Sequence, residues 1–351
     1  MRLGLAALAA AALLTGAAPQ TPPVALDRLL APTPEPTLDA YRLFTDQAGA
    51  RPNAGLTPYG LNTPLFSDYA EKERFLYLPP GTRAQYRADA AFEFPVGATL
   101  VKTFAYPADL RRPAEKIRRL ETRLLIRRRE GWTALTYVWN VQQTEAVLKR
   151  AGARLDVSFI DLAGATRQVD YAVPNTNQCK ECHQVLGVLT PIGPKGRNLN
   201  GDFAYADGRE NQLVRWRRAG LLAGAPDPGK APRTAVWDAP AEPLAARARA
   251  YLDSNCAHCH SPTGIASNSG LFLQLEETRP GALGVDKRPV AAGRGSGGLE
   301  VSIAPGRPQD SILLHRMVST EPGVMMPELS RSLRHDEGVA LISAWIAGTK
   351  P

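Results

Sequence analysis

The chain is poor in the residues that usually carry redox or metal chemistry. Its 351 residues contain only four cysteines, four methionines and five histidines. The stretch from Leu56 to Val173 has none of the three. This absence excludes a thiol nucleophile, a histidine base and a sulfur or imidazole metal ligand from that part of the chain.

Long hydrophobic runs are also missing. After the first segment, no uncharged apolar stretch approaches the roughly 20 residues that a membrane-spanning helix needs. Residues 1–17 begin with the basic Arg2, continue with an apolar run from Leu3 to Leu14 and end in small residues. This pattern is typical of a secretory signal peptide, and the run is too short for a membrane anchor. We therefore expect export to the periplasm and no transmembrane anchor.

The four cysteines occur only in two C-x-x-C-H units, QCKECHQ and NCAHCHS. The units are formed by Cys179, Cys182 and His183, and by Cys256, Cys259 and His260. Close thiols in an exported protein usually form a disulfide, but a disulfide needs no adjacent histidine. Covalent haem c attachment needs both thiols and uses the imidazole as an iron ligand. Zinc is the alternative for paired C-x-x-C units, but the repeated histidine favours two covalently bound haem c groups.

The second unit has a candidate for the sixth iron ligand. Met326 precedes a proline some 60 to 70 residues after the unit, just before a final amphipathic helix. A thioether ligand there would stabilise ferrous iron. Met325 is the alternative, and both methionines could instead fill a core gap. The order of helix, C-x-x-C-H, loop, Met-Pro and helix predicts a cytochrome c domain over residues 244–351.

The first unit has no comparable partner, because no methionine lies between His183 and Cys256. The sixth position at this haem is left open between water and several side chains. The candidate side chains are Lys195, His258, His315, His335 and Met317.

The remaining sequence predicts a β-rich region. Short apolar runs alternate with turn residues over 51–174, and two stretches read as hairpins, with turns at Glu130–Gly131 and at residues 163–165. We expect an antiparallel β sandwich or barrel-like domain here, followed by mainly α cytochrome c-type haem domains in a multidomain chain. The other predicted segments are a Pro-rich tether at 18–50, a first haem segment at 175–225 and a linker at 226–243.

Charge gives a weaker indication of partners. The formal net charge is +8 and the pI is about 9.4. In an exported haem protein, this excess favours steering toward an acidic redox partner protein or attraction to an anionic membrane surface, and no nucleic-acid partner is expected.

The chain resembles a family of bacterial diheme c-type cytochromes with a β-rich N-terminal part. The resemblance covers nearly all of the sequence after the signal segment. It rests on PYGLNTPLFSDYAEKERFLYLPPG, FPVGATLVKTFAYP, RRLETRLLIRRREGWTALTYVWN, VPNTNQCKECH, PIGPKGRNLNGDF, ENQLVRWRRAGLL, NCAHCHSPTG and MMPELSRSLRHDEGVALISAWI.

The resemblance implies one haem on Cys179, Cys182 and His183, and another on the second unit with Met326 as a ligand. Members of the broader group are associated with quinoprotein sugar dehydrogenases, which implies a periplasmic quinoprotein dehydrogenase as a possible partner.

Three functions follow as hypotheses. The first is a periplasmic carrier of single electrons between a dehydrogenase and a downstream acceptor, for which no catalytic side chain is predicted. The second is a diheme peroxidase-type enzyme with an open first haem. The third is a binding module in which the β-rich region recognises a polymer or a partner.

Overall fold

The computed structural model describes residues 22–350, so the predicted signal peptide at 1–17 lies outside the described residues. Strands account for 26% of the chain and helices for 22%. The fourteen strands are β1 Leu56–Pro58, β2 Glu71–Tyr77, β3 Ala84–Gln85, β4 Thr99–Tyr106, β5 Arg118–Arg128, β6 Gly131–Trp139, β7 Ala146–Leu148, β8 Ala153–Ile160, β9 Thr166–Val173, β10 Gln184–Val185, β11 Val188–Leu189, β12 Asp202–Tyr205, β13 Gly208–Asn211 and β14 Leu222–Ala223. The eight α-helices within 22–350 are α1 Leu26–Leu30, α2 Thr176–His183, α3 Gly196–Leu199, α4 Gln212–Arg218, α5 Leu244–Asn255, α6 Pro280–Leu283, α7 Ile312–Val318 and α8 Asp336–Ala347.

The main sheet has six antiparallel strands in the order β1-β2-β4-β5-β6-β7. The predicted hairpin of β5 and β6 is confirmed, with Arg128 opposite Gly131 across the turn. The second predicted hairpin is confirmed as well, since β8 and β9 pair from Ala153 opposite Val173 to Ile160 opposite Thr166. Within the described residues the main sheet is open, with β1 and β7 at its edges. The expected β-rich region is therefore confirmed, but the barrel-like form of the expected sandwich or barrel-like domain is wrong.

The expectation of mainly α haem domains is also wrong. Residues 175–225 contain three short helices and five strands of two to four residues each. Between Asn255 and Ile312 the only α-helix is the four-residue α6. Frequent glycine and proline explain the difference, because both residues interrupt the backbone hydrogen bonding of long helices. The chain is β-rich as a whole, and seven of the eight α-helices within residues 22–350 follow residue 175.

One face of the main sheet is covered by the N-terminal segment. Leu29, Leu38 and Tyr41 of this segment are buried against Val101, Tyr137 and their neighbours. Residues 18–50 are predicted as a tether, but their described part is packed onto the sheet. The reason is that large apolar residues are interspersed among the prolines, and burying them offsets the entropy of ordering the segment.

The opposite face carries the rest of the molecule. The β8–β9 hairpin packs on it through Val157, Phe159 and Tyr171. Helix α4 packs farther along the same face, where Trp216 is fully buried. The first C-x-x-C-H segment therefore shares a core with the β region instead of forming a separate domain.

Residues 59–70, which connect β1 to β2, form what we call the bridging segment. The Thr63 hydroxyl donates to the Ala235 carbonyl at 2.6 Å, and the Phe66 amide donates to Asn255 Oδ1 at 2.8 Å. The Asp68 carboxylate accepts from the Leu333 amide at 2.7 Å. The bridging segment thus joins the main sheet to the C-terminal region.

The C-terminal region has its own core. Helices α5, α7 and α8 pack around a shared apolar centre that includes Leu252, Leu314 and Ile342. The predicted linker at 226–243 contributes buried contacts of its own, since Trp237 packs against the ring of Tyr251. Within residues 22–350, no helix is long and apolar enough to cross a membrane.

We predict that Leu29→Ala lowers the free energy of unfolding by about 2–5 kcal/mol, because Leu29 is completely buried against the sheet. The control is Leu162→Ala, since Leu162 is 65% exposed and should change stability by less than about 0.5 kcal/mol. Chemical denaturation of both variants measures the difference. Equal stability of the two variants would show that the N-terminal segment behaves as a tether after all.

Candidate functional site

The first C-x-x-C-H unit is presented by a short helix placed directly after β9. Asn175 caps α2, accepting from the amides of Asn177 and Gln178 at 2.9 Å each, while Gln178 accepts from the Asn175 amide at 3.0 Å. This capping box fixes where the helix starts. Cys179, Cys182 and His183 follow at i, i+3 and i+4, which places them on one helix face.

That face lines a cavity, which we call the first cavity. Its remaining walls come from the main sheet, the bridging segment and residues 192–198. It encloses about 1430 Å³, including solvent at its mouth. Apolar residues supply much of its surface, among them Leu61, Leu65, Leu100, Leu125 and Ile192.

The second C-x-x-C-H unit lies in a turn at the end of α5. The amides of Cys259 and His260 both donate to the Cys256 carbonyl, at 3.1 and 2.9 Å. The three side chains line a second cavity of about 1620 Å³, again including solvent at its mouth. Apolar residues from distant segments complete its wall, including Leu271, Leu273, Ile312 and Leu313.

Met326 lies in the same cavity as His260, whereas Met325 does not line it. The Met326 amide donates to the Arg316 carbonyl at 2.9 Å, and the Met326 carbonyl accepts from Arg331 Nε at 3.1 Å. Its backbone is therefore held on both sides. The structure thus brings together all four side chains that the sequence assigns to the second haem.

The candidates for the sixth position at the first haem are separated by the structure. Only Lys195 and His258 line the first cavity. Met317 lines the second cavity instead, and His315 lines neither.

His335 also lies away from both cavities, in an aromatic cluster between the bridging segment and the C-terminal region. Its ring stacks on Phe66 with centroids 4.0 Å apart, and its Nδ1 is hydrogen-bonded to the Tyr251 hydroxyl at 2.9 Å. Burial lowers the pKa of His335 to about 4, so the imidazole is neutral at pH 7. These contacts indicate a structural role.

The two cavities adjoin each other. Leu65, Cys182, His258, Leu329 and Ser330 line both. The ligand atoms of Cys182, His258 and Cys259 all lie within 4.8 Å of one another. Two units that are far apart in sequence therefore meet at one point.

The donor groups in both cavities fit covalently attached haem. The four cysteines are free of disulfide bonds, as addition to the vinyl groups of haem requires. Burial lowers the pKa of His183 and of His260 to about 4. Both imidazoles are therefore neutral at pH 7, which is the form that binds a metal.

Buried polar atoms without partners in the first cavity point the same way. The Nδ1 atoms of His183 and His258 are buried and have no hydrogen-bond partner within residues 22–350. Buried polar atoms are rarely left in this state. Hydrogen bonding between the two thiols also lowers the pKa of Cys182 and raises that of Cys259.

Sequence reasoning missed two parts of this site. The bridging segment supplies Tyr59, Thr63 and Leu65 to the first cavity, and β4 and β5 supply Lys102 and Arg123. The bridging segment occurs in a stretch that carries the family resemblance, but its sequence contains no motif with assignable chemistry.

Comparisons with protein-family models, curated proteins and solved structures gave no match for this chain.

We predict that Arg331→Met lowers the free energy of unfolding by about 2 kcal/mol, because Arg331 is buried and its loss leaves backbone carbonyls without donors. The carbonyls belong to Met326, Arg316, Ser319 and Leu333. Arg334→Met is the matched control, since Arg334 is exposed and should change stability by less than about 0.5 kcal/mol. Thermal or chemical denaturation reports the difference, and two equally stable variants would contradict this account of how Met326 is held.

Proposed function

We propose that the protein is a periplasmic diheme c-type cytochrome that transfers single electrons between a dehydrogenase and a downstream acceptor. The observation that supports this most strongly is the meeting of the two C-x-x-C-H units. His183 and His260 lie in separate cavities with a common wall, and the sulfur atoms of Cys182 and Cys259 are within 4.8 Å of each other. Two redox groups held in these cavities would be close neighbours.

The side chains divide into two sets. Cys179 and Cys182 would hold one haem by thioether bonds, with His183 as its iron ligand. The second set is Cys256, Cys259, His260 and Met326. Each haem supplies a one-electron couple between ferric and ferrous iron.

The chain's own contribution is to fix and shield these groups. The apolar side chains of both cavities exclude water, which tunes the reduction potential of a haem. Hydrogen bonds fix the backbone of Met326 in the wall of the cavity that His260 also lines, and a thioether ligand favours the ferrous state. The common wall, including Leu65 and Leu329, keeps the two sites together.

The partners we propose are proteins that exchange electrons with the haems. The net charge of +8 favours an acidic protein surface as the docking site. A periplasmic quinoprotein dehydrogenase is the electron donor that the family resemblance suggests.

A specific observation favours a second candidate, a diheme peroxidase-type enzyme. Among the described residues no methionine lines the first cavity, and only Lys195 and His258 there are candidates for the sixth position. If neither binds iron, the position is free for an external ligand such as peroxide.

The first experiment measures covalent haem. Expressed with a c-type haem maturation system, the protein should carry two haems per chain that survive denaturation, as measured by the haemochrome assay and intact mass. The double variant Cys179→Ala/Cys182→Ala should carry one, and so should Cys256→Ala/Cys259→Ala. A chain without covalent haem but with stoichiometric zinc would contradict the proposal and favour a metal site at Cys182, His258 and Cys259.

The second experiment tests the ligand of the second haem. Met326→Ala should convert one of the two haems from low spin to high spin and lower its reduction potential, because the thioether is lost. Met325→Ala is the matched control and should change neither property. Paramagnetic resonance and redox titration report both. Unchanged spectra of Met326→Ala, or the same change in Met325→Ala, would exclude Met326 as the ligand.

The spin states of the wild-type haems and their response to added ligands distinguish the carrier from the enzyme. Two low-spin haems that do not respond to cyanide or peroxide are expected of the carrier. A high-spin first haem that binds these ligands would favour the peroxidase.

A further inference from the structure

The floor of the first cavity is a row of side chains that crosses four strands. Arg74 on β2 pairs with Lys102 on β4, Lys102 with Arg123 on β5, and Arg123 with Thr136 on β6. Directly paired residues of antiparallel strands project from the same face, and all four line the first cavity. Three of the four are cationic, in a region that is otherwise largely apolar.

The nearby carboxylates neutralise only one of these three cations. Glu121 forms a buried ion pair with Arg123 at 2.5 Å and also accepts from the Tyr171 hydroxyl at 2.7 Å. Glu73 is paired with Arg119. Neither Arg74 nor Lys102 has a carboxylate within ion-pair distance among residues 22–350.

The hydrogen bonding of these two cations is incomplete. One terminal nitrogen of Arg74 donates to the Lys72 carbonyl at 3.1 Å, but the other is buried with no hydrogen-bond partner among the described residues. Lys102 Nζ lies 4.7 Å from the centroid of the Phe104 ring. Burial and the neighbouring cations hold the pKa of Lys102 well below its ordinary value. Enclosed cations without counter-charges are costly, and an anion in the cavity would relieve that cost.

The second cavity lacks this excess. Among the described residues that line it, Arg316 is the one lysine or arginine, and it is paired with Glu328 at 3.6 Å. Glu181 also lines that cavity. The difference indicates that the first cavity is built to receive negative charge.

The two ends of the row lie at different distances from the first C-x-x-C-H unit. Thr136, at one end, lies beside the Cys179 thiol, whose pKa is raised by burial and lowered to a smaller extent by Thr136. Arg74 lies three strands away, about 14 Å at the usual strand spacing. Haem carries its vinyl groups and its two propionates on opposite edges. A haem attached at Cys179 and lying along this row would therefore extend its propionates toward Lys102 and Arg74.

We infer that Arg74 and Lys102 form the binding site for the propionate carboxylates of the first haem, so that the main sheet is the floor of that haem pocket. This inference rests on the proposed function. It assigns the β region a direct part in holding the redox group.

The test is a redox titration of the holoprotein with Arg74→Gln and Lys102→Gln. Removing a positive charge about 10 Å from the iron destabilises the ferrous form. At an effective dielectric of about 20, the equilibrium constant between ferrous and ferric iron changes about tenfold. We expect the ferrous-to-ferric ratio of the first haem at fixed potential to fall about tenfold, equal to about 59 mV. The second haem should be unchanged.

Matched variants separate this effect from general changes. Arg129→Gln removes a positive charge at the exposed β5–β6 turn of the same sheet and should leave both haems unaltered. Arg74→Lys and Lys102→Arg keep the charge and should retain most of the wild-type potential.

Several results would overturn the inference while leaving the proposed function intact. One such result is that both Gln variants carry two covalent haems and the reduction potential of the first haem is unchanged in each. Another is a change of spin state in Lys102→Gln, which would make Lys102 an iron ligand. A wild-type chain without covalent haem would instead refute the proposed function itself.

Resonance Raman spectroscopy of the wild-type protein tests the same claim without a substitution. The two haems should differ in their propionate-bending frequencies, because only the first cavity offers unpaired cations. Identical frequencies at both haems would overturn the inference even if the Gln variants failed to fold.

Discussion

The arrangement of both cavities depends on the hydrogen bonds of the bridging segment, residues 59–70. Its backbone and short polar side chains contact segments that lie more than 130 residues away, including Asn198, Ala235, Asn255 and Leu333. One of these bonds is buried and the other three are part-buried, and a buried group left unpaired would be costly. They join the main sheet to α3, to the segment around Ala235 and to the C-terminal core. Leu65 of the same segment then forms part of the wall between the cavities.

The β region and the two C-x-x-C-H segments are therefore one structural unit. One face of the main sheet is closed by the N-terminal segment, and the other provides the floor of the first cavity. The buried ion pair of Arg197 and Asp253, with N–O distance 3.0 Å, links α3 to α5 beside that cavity. A site divided among so many segments has little freedom to change shape, which would suit the proposed redox group, whose surroundings should reorganise little during electron transfer.

Local features were predictable from the sequence, and long-range ones were not. The β8–β9 hairpin follows from alternating Leu155, Val157 and Phe159 around a turn, and the C-x-x-C-H units follow from spacing alone. The packing of the N-terminal segment was not predicted, because its high proline content suggested a tether and its few large apolar residues were given too little weight. The short helices and irregular loops beyond 175 were mistaken for mainly α domains. The floor of the first cavity depends on the register of four strands, and that register cannot be predicted from any single stretch of the sequence.

The row of cations beneath the first cavity has a consequence for the stability of the chain in the cell. Segments from residue 59 to residue 330 must all fold before this cavity exists, and without an anion its centre is a hollow that holds uncompensated positive charge. If the first cavity holds the haem proposed above, a chain that fails to receive this haem would pack loosely in the middle, although its sequence is intact. Loosely packed chains are removed by proteases. The cations proposed to bind the haem propionates would then also mark incomplete copies for removal.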